Sequence, residues 1–363
     1  MLGSVSQSSV GGAPDRKARR EELINQVLTD FFSRTKERAR PYGHQYVTLW
    51  QNIEANTTGG KRFRPQVLLA AYEALGGSDL ISAANVGAAF ELLHTALIVH
   101  DDVIDRDFVR RGQPNLAAMY RDRWQATGIS KSDAEHRGMS VAVIAGDLAL
   151  SFAYRLIDQS GVTGPTRDRL LELMDESLFA SAAGELLDID YTGSIKLPSV
   201  ENVLSMARLK TAVYSFEGPL MAGAVLAGAD ENVISTLGEF GKEVGTAYQI
   251  RDDLLGVFGN TSETGKSNSN DLREGKGTVI VAHAAQSQLW EHIAPFLGRP
   301  DITEAQVTDL RDMLEKSGAK EFAESLLEKH TTRARELLSE PQIPESIRDE
   351  FQPFIATLTS RDR

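Results

Sequence analysis

The sequence predicts an all-α protein: a single domain of long helices packed as a bundle around a central cavity. Three observations carry this. Apolar residues recur at helical spacing through most of the 363 residues. Several of these patterned stretches exceed about twenty residues, long for globular helices but expected of a bundle. No segment shows two-residue alternation bounded by hairpin turns.

Composition narrows the function. Hydrophobic residues make up 41% of the chain, enough for a substantial core, and the net charge of −12 argues against a nucleic-acid partner. An acidic protein that binds a polyanion needs local Arg, Lys or metal to override its own field. There are no cysteines, so disulfides, thiolate metal sites and a Cys nucleophile are excluded. No stretch reads as the run of about eighteen apolar residues expected of a membrane span, and a cytoplasmic location is expected.

Residues 1–15, rich in Gly and Ser, are expected to form a disordered tail, leaving 16–363 as the domain. A helix from Lys17 to Arg38 follows, with the stripe Leu23, Ile24, Val27, Leu28, Phe31 and Phe32. A second runs from His44 to Ala55. Thr57–Gly60 then reads as a loop delivering Lys61, Arg62 and Arg64 just before Pro65, a residue favoured at helix starts. Cations at a helix N-terminus suit an anion; the same residues also read as a solvated basic turn.

The stretch Phe90–Asp105, FELLHTALIVHDDVID, is an apolar helix that ends in acid. Asp101 and Asp105 fall one turn apart on one face, and Asp102 points roughly 100° away. Like charges at that spacing repel by a few tenths of a kcal/mol, and each opposes the helix dipole by roughly 0.3–1 kcal/mol. A cation is therefore expected there. Mg²⁺ fits, because it binds through one or two carboxylates plus substrate phosphates. Arg110 and Arg111 follow at once, as if a polyanion bridged metal and guanidinium. His94, seven residues before Asp101, lies on nearly the same face, as a ligand-binding residue or as a satisfied core histidine.

Helices are expected over Asp133–Gln159, Thr166–Tyr191, Ser199–Gly228 and Glu231–Phe258. Lys210 and Thr211 interrupt the apolar stripe of the third, either functionally or as a snorkelling Lys and a back-bonded Thr. The fourth carries Asp252 and Asp253 after an apolar run, with Gln249 one turn earlier. The polar stretch TSETGKSNSNDLREGKG, holding Lys266 and Lys276, reads as a flap that orders on binding. Helices over Val279–Leu297, Thr303–Ser317, Ala319–Leu338 and Glu345–Thr359 complete the chain. A P-loop and HExxH are both absent, and the seven histidines never pair at i,i+4.

The ordered set GGKRFRP (Gly59–Pro65), DDVID (Asp101–Asp105), RRGQP (Arg110–Pro114), GD (Gly146, Asp147), KT (Lys210, Thr211), QIRDD (Gln249–Asp253) and GKxxxxD (Gly265–Asp271) resembles the trans-isoprenyl diphosphate synthases, or polyprenyl synthases. The resemblance implies the isoprenoid synthase fold: antiparallel helices around a deep cavity, two aspartate motifs across its mouth, and a homodimer. It implies three Mg²⁺ ions, two held by Asp101 and Asp105 with Asp102 in support, and one by Asp252 with Asp253 beside it. Arg110, Lys210, Lys266 and Lys276 would hold the allylic diphosphate; Lys61, Arg64, His94 and Arg111 would hold isopentenyl diphosphate. Thr211 and Gln249 would lie along the allyl chain. The implied reaction is condensation of isopentenyl diphosphate with dimethylallyl, geranyl or farnesyl diphosphate.

Two features depart from the family pattern. Gly256 stands where the second motif would have another Asp, and the stretch from Gly265 to Lys276 is about one residue longer than the spacing commonest in the family, which bears on the role of Lys276. Product length should depend on bulk below Asp101, at Ala96 and Leu97, with Phe90, Phe152 or Tyr154 as a floor. Without an aromatic plug there, geranylgeranyl diphosphate is expected, with a farnesyl or longer polyprenyl product as the alternatives. A terpene cyclase would need a different second motif, and a non-catalytic subunit would tolerate loss of the first.

Overall fold

The computed structural model describes residues 13–110, 112–192, 197–259, 270–299 and 301–359. Among them the architecture is helical, as expected. The helices that place the site are α1 (Ala13–Ala39), α2 (His44–Thr58), α3 (Phe63–Ala74), α4 (Leu80–Ile104), α5 (Leu116–Gln125), α6 (Lys131–Asp158) and α7 (Gly164–Tyr191). They are followed by α8 (Val200–Ala207), a π-helical segment (Arg208–Glu217), α9 (Gly218–Leu226) and α10 (Glu231–Phe258). Beyond them lie α11 (Asn270–Glu274), α12 (Val279–Ala284), α13 (Trp290–Ile293), α14 (Glu304–Lys316), α15 (Ala319–Leu338) and α16 (Glu345–Thr359).

Helix α4 is the axis. Asp79 caps its start, accepting a bond from the Ser82 N–H at 3.1 Å. Phe90, Leu92 and Leu93 on it are fully buried. Each such side chain contributes on the order of 2 kcal/mol, which outweighs the few tenths to 1 kcal/mol that each terminal acid costs. A buried helix can therefore hold carboxylates at its C-terminal end. The main core packs α4 against α1, α3, α6 and α9, and a second cluster around Ile280, Leu310 and Leu314 supports the far end of α10.

Several expectations are corrected. Helix α1 begins at Ala13, so helix reaches into the expected tail, whose residues 1–12 lie outside the described ones. Helix α2 extends through Thr58, and Pro65 is the third residue of α3. The helix expected over Val279–Leu297 breaks after Ala284, where the Ser287 hydroxyl donates to the Ala284 carbonyl and accepts from the Leu289 N–H, competing with helical bonding. Part of the polar flap is helical as α11, while residues 260–269 lie outside the described ones. Residues 109–110 and 113–114 pair as a short antiparallel ribbon, Val109 opposite Pro114 and Arg110 opposite Gln113, with Gly112 at φ 72°.

Helices α4 and α6 are each long and apolar enough to cross a membrane, contrary to the expectation that no stretch reads so. Packing explains the composition of α4: 67% of its most apolar stretch is buried inside the protein. Helix α6 packs along it but keeps Val143 and Ile144 exposed.

Candidate active site

The end of α4 presents three acids to different surroundings. Asp102 is buried, and the Arg110 guanidinium reaches back across the RRGQP turn to hold it, Nε donating to Oδ1 at 2.7 Å. The same guanidinium donates from Nη2 to Asp101 Oδ2 at 2.8 Å. Burial nevertheless pushes the Asp102 carboxyl up to about 6 against the pull of Arg110. Asp105 caps the helix, and desolvation followed by the Asp101 charge raises its carboxyl above the usual range. Arg106, next in line, sits at φ 58°. It and Arg62, at φ 47° before α3, are the two non-glycine residues with positive φ among those described. Both lie in charged turns flanking the site, where backbone strain tends to gather.

Lys210 approaches from the π segment. Its Nζ is 2.9 Å from Asp101 Oδ1, 3.0 Å from Glu185 Oε2 and 2.5 Å from Asp188 Oδ2. Burial opposes the ammonium charge, but Asp101 and Asp188 outweigh it and hold the group charged far above the usual lysine range. Glu185 and Asp188, on α7, were not singled out in the sequence. Their signal was there: like Asp101 and Asp105, they close a long helix and fall on one face, three residues apart.

Five carboxylates (Asp101, Asp102, Asp105, Glu185 and Asp188) thus surround two cations, Arg110 and Lys210. Burial raises the Glu185 carboxyl, and its Oε1 is buried without a hydrogen-bond partner. An orphaned carboxylate oxygen in an acid-rich cluster fits a hard divalent cation. Among the described residues no three His, Cys, Asp or Glu side chains form a ready metal cage. Mg²⁺ does not require one, since it keeps waters and takes substrate phosphates as ligands.

Two turns up α4 lies a second polar cluster. Arg64 of α3 donates to Ser215 Oγ at 2.8 Å and to Tyr214 Oη at 3.3 Å, and stands 3.8 Å from Glu91. His94 Nδ1 is 3.1 Å from the same Tyr214 hydroxyl. The structure therefore joins Arg64 to His94 through Tyr214, which the sequence reading missed. Lys61 is exposed on the turn before α3, and Arg111 lies outside the described residues.

On α10, Asp252 is exposed, whereas Asp253 is buried and accepts from Gln249 Nε2 at 3.0 Å. Thr211 is half-buried beside Lys210. Lys266 lies outside the described residues, and exposed Lys276 pairs with Glu274 at 3.1 Å. After desolvation, Glu274 is the next cause raising the Asp107 carboxyl, and Lys276 lowers it. The chain leaving α10 thus returns beside the first acidic motif. Ala96 is buried and Leu97 half-buried on α4, while Phe152 turns to Trp50, at 4.8 Å between ring centres, and to Phe31.

The polyprenyl synthetase family model matches residues 47–314, an interval that holds both clusters and both aspartate motifs. The chain belongs to the polyprenyl synthetase family. It is a prenyltransferase with the family's all-α fold. It is 32% identical over 321 residues to a geranylfarnesyl diphosphate synthase of Aeropyrum pernix, covering 87% of this chain and 92% of that one. It is 28% identical to a geranylgeranyl diphosphate synthase of Sulfolobus acidocaldarius, covering 85% and 88%. Among solved structures, the geranylgeranyl pyrophosphate synthase of Corynebacterium glutamicum, complexed with isoprenyl diphosphate and magnesium, aligns with a TM-score of 0.87. That match has 30% identity and covers 94% of this chain and 99% of the other.

Proposed function

We propose that this polyprenyl synthetase condenses isopentenyl diphosphate with dimethylallyl, geranyl and farnesyl diphosphates and releases geranylgeranyl diphosphate. The observation that carries the reading is Lys210 held among Asp101, Glu185 and Asp188, two helical turns from the Arg64–His94–Tyr214 cluster. One cluster suits a diphosphate that leaves, the other a diphosphate that stays.

Asp101 and Asp105, with Asp102 in support, and Asp252, with Asp253 beside it, would hold Mg²⁺, three ions in all; Glu185 and Asp188 extend that set. Held by these residues, Mg²⁺ would supply charge neutralisation to a departing diphosphate. Lys210 and Arg110 donate to the diphosphate oxygens, with Lys266 and Lys276 closing from the loop after α10. The allylic C–O bond breaks with its electron pair going to diphosphate, and donors already in place favour that charge. Thr211 and Gln249 turn their dipoles toward the allylic cation while apolar walls keep water out. Arg64, His94, Lys61 and Arg111 hold isopentenyl diphosphate so that its double bond attacks the cation. The proton then lost re-forms an alkene and passes to the released diphosphate.

Product length is assigned to Ala96 and Leu97 below Asp101, with Phe152 at the lower limit. Phe90, eleven residues from Asp101 and so about 16 Å down the helix, packs under Gly218, where an added Cβ would lie 2.9 Å from its ring. We also assign a homodimer, because α6 and α7 expose Ile144, Leu186 and Phe179, the last 74% exposed, along neighbouring helices. A cytoplasmic location belongs to the same proposal.

Incubation of the purified protein with Mg²⁺, isopentenyl diphosphate and each allylic starter tests the reading. A twenty-carbon diphosphate is expected. Cyclised hydrocarbon would indicate a cyclase, and turnover only on adding another synthase would indicate a regulatory subunit.

A further inference from the structure

Arg208 and Glu217 are the first and last residues of the π segment, and they meet in a two-pronged ion pair. Arg208 Nε donates to Glu217 Oε1 at 2.9 Å and Nη2 to Oε2 at 2.8 Å. In an α-helix, at about 100° per residue, positions nine apart face opposite sides. In a helix closed by i→i+5 bonds the advance is about 80° per residue, so nine positions make two full turns. The pair can form along this helix in the π register and not in the α register.

The same geometry decides what the segment shows the site. Lys210 and Ser215 would be about 140° apart in an α-helix. In the π register they are about 40° apart, which lets Lys210 reach Asp101 while Tyr214 and Ser215 reach His94 and Arg64. Neighbouring helices leave room for the wide turns at glycines. A Cβ on Gly184 would lie 2.2 Å from the Lys210 amide nitrogen, on Gly245 2.5 Å from Ala212 Cβ, and on Gly241 2.8 Å from Glu217 Cα. Glu176 of α7 and Glu239 of α10 add to the negative field at Arg208.

We propose that Arg208 and Glu217 are a positioning pair that holds residues 208–217 in the π register, keeping the Lys210 cation and the Tyr214–Ser215 contacts on one face. Neither side chain touches the reacting groups. The catalytic consequence rests on the prenyltransferase reading, but the register can be read without turnover.

The test compares the full-length protein with Arg208→Met/Glu217→Gln, which removes the pair without stranding a buried charge, and with the exchanged pair Arg208→Glu/Glu217→Arg. In a crystal structure of the first, residues 208–217 should relax toward i→i+4 bonding, with Ser215 leaving Arg64. Its kcat should fall about tenfold or more, KM for isopentenyl diphosphate should rise, and the exchanged pair should recover most of the loss. Retention of the π bonding, or a loss that the exchange does not recover, overturns the proposal. Should the first variant fail to fold, Arg208→Lys, which keeps the charge but not the two-pronged geometry, is read in the same way. Absence of turnover in the unaltered protein would count against the prenyltransferase reading alone, since the register comparison still decides this one.

Discussion

Lys210 Nζ lies 2.9 Å from Asp101 Oδ1, so the cation suited to a diphosphate and the acid suited to a metal hold one another. In the proposed reaction, a diphosphate arriving with Mg²⁺ would satisfy both partners at once and separate them. The acids outnumber the two cations in this cluster, which leaves it net negative and suited to a divalent cation.

Asp101→Asn should lower kcat by about a hundredfold or more, the scale seen when a group that stabilises transition-state charge is lost. The thermal midpoint should hold or rise, because Lys210 keeps Glu185 and Asp188 and the repulsion with Asp105 is relieved. Near-normal rates at saturating Mg²⁺ would sink the assignment.

Glu185→Gln and Asp188→Asn should each raise the Mg²⁺ concentration needed for half-maximal rate, by about tenfold, as for loss of one supporting group at a metal site. Titrating Mg²⁺ at fixed substrate checks this. An unchanged Mg²⁺ dependence would leave both acids as partners of Lys210 alone.

Ala96→Tyr should shift the product from twenty carbons to fifteen. Ala96 is buried, so the larger side chain also costs about 1–3 kcal/mol of stability. Chromatographic sizing of the products is the measurement, and an unchanged distribution would place the floor elsewhere.

Phe179→Glu should convert a dimer into monomers, read by light scattering. The side chain is 74% exposed in the single chain, so the change should leave the fold of each subunit intact. A monomeric unaltered protein would remove the dimer from the proposal.

The His330 Nδ1–H donates to Glu243 Oε2 at 2.6 Å, tying α15 to α10. Burial raises the Glu243 carboxyl, but the His330 hydrogen bond and charge outweigh it, and the net shift is downward. A carboxyl lowered in the folded state stabilises it above the ordinary value of about 4.5, and loses that effect as pH falls through the folded value. Glu243→Gln should therefore cost about 2 kcal/mol at pH 7, with the difference shrinking as pH falls below the ordinary carboxyl range and through the lowered folded value. Denaturant midpoints across that range check it.

Much of this molecule was legible in its residues. Apolar spacing located α6, α7 and α10 to within a few residues, because helical periodicity is a local property of the chain; for α4 it found the acidic end but not the start, which lies at Leu80 rather than Phe90. The acids ending α4 and α10 could be singled out because a carboxylate closing a buried helix is locally costly. The ordered motifs brought the family.

What the tertiary structure alone decided concerns partners far apart in sequence. Local pattern could not bring Glu185 and Asp188 onto Lys210, nor join Arg64 to His94 through Tyr214. Nor could it show the π register, since residues 208–217 carry an ordinary helical stripe. That choice depends on the glycines of α7 and α10 and on an ion pair nine residues long. Periodicity records which face of a helix is apolar; which charge meets which across the bundle is set only when the helices pack.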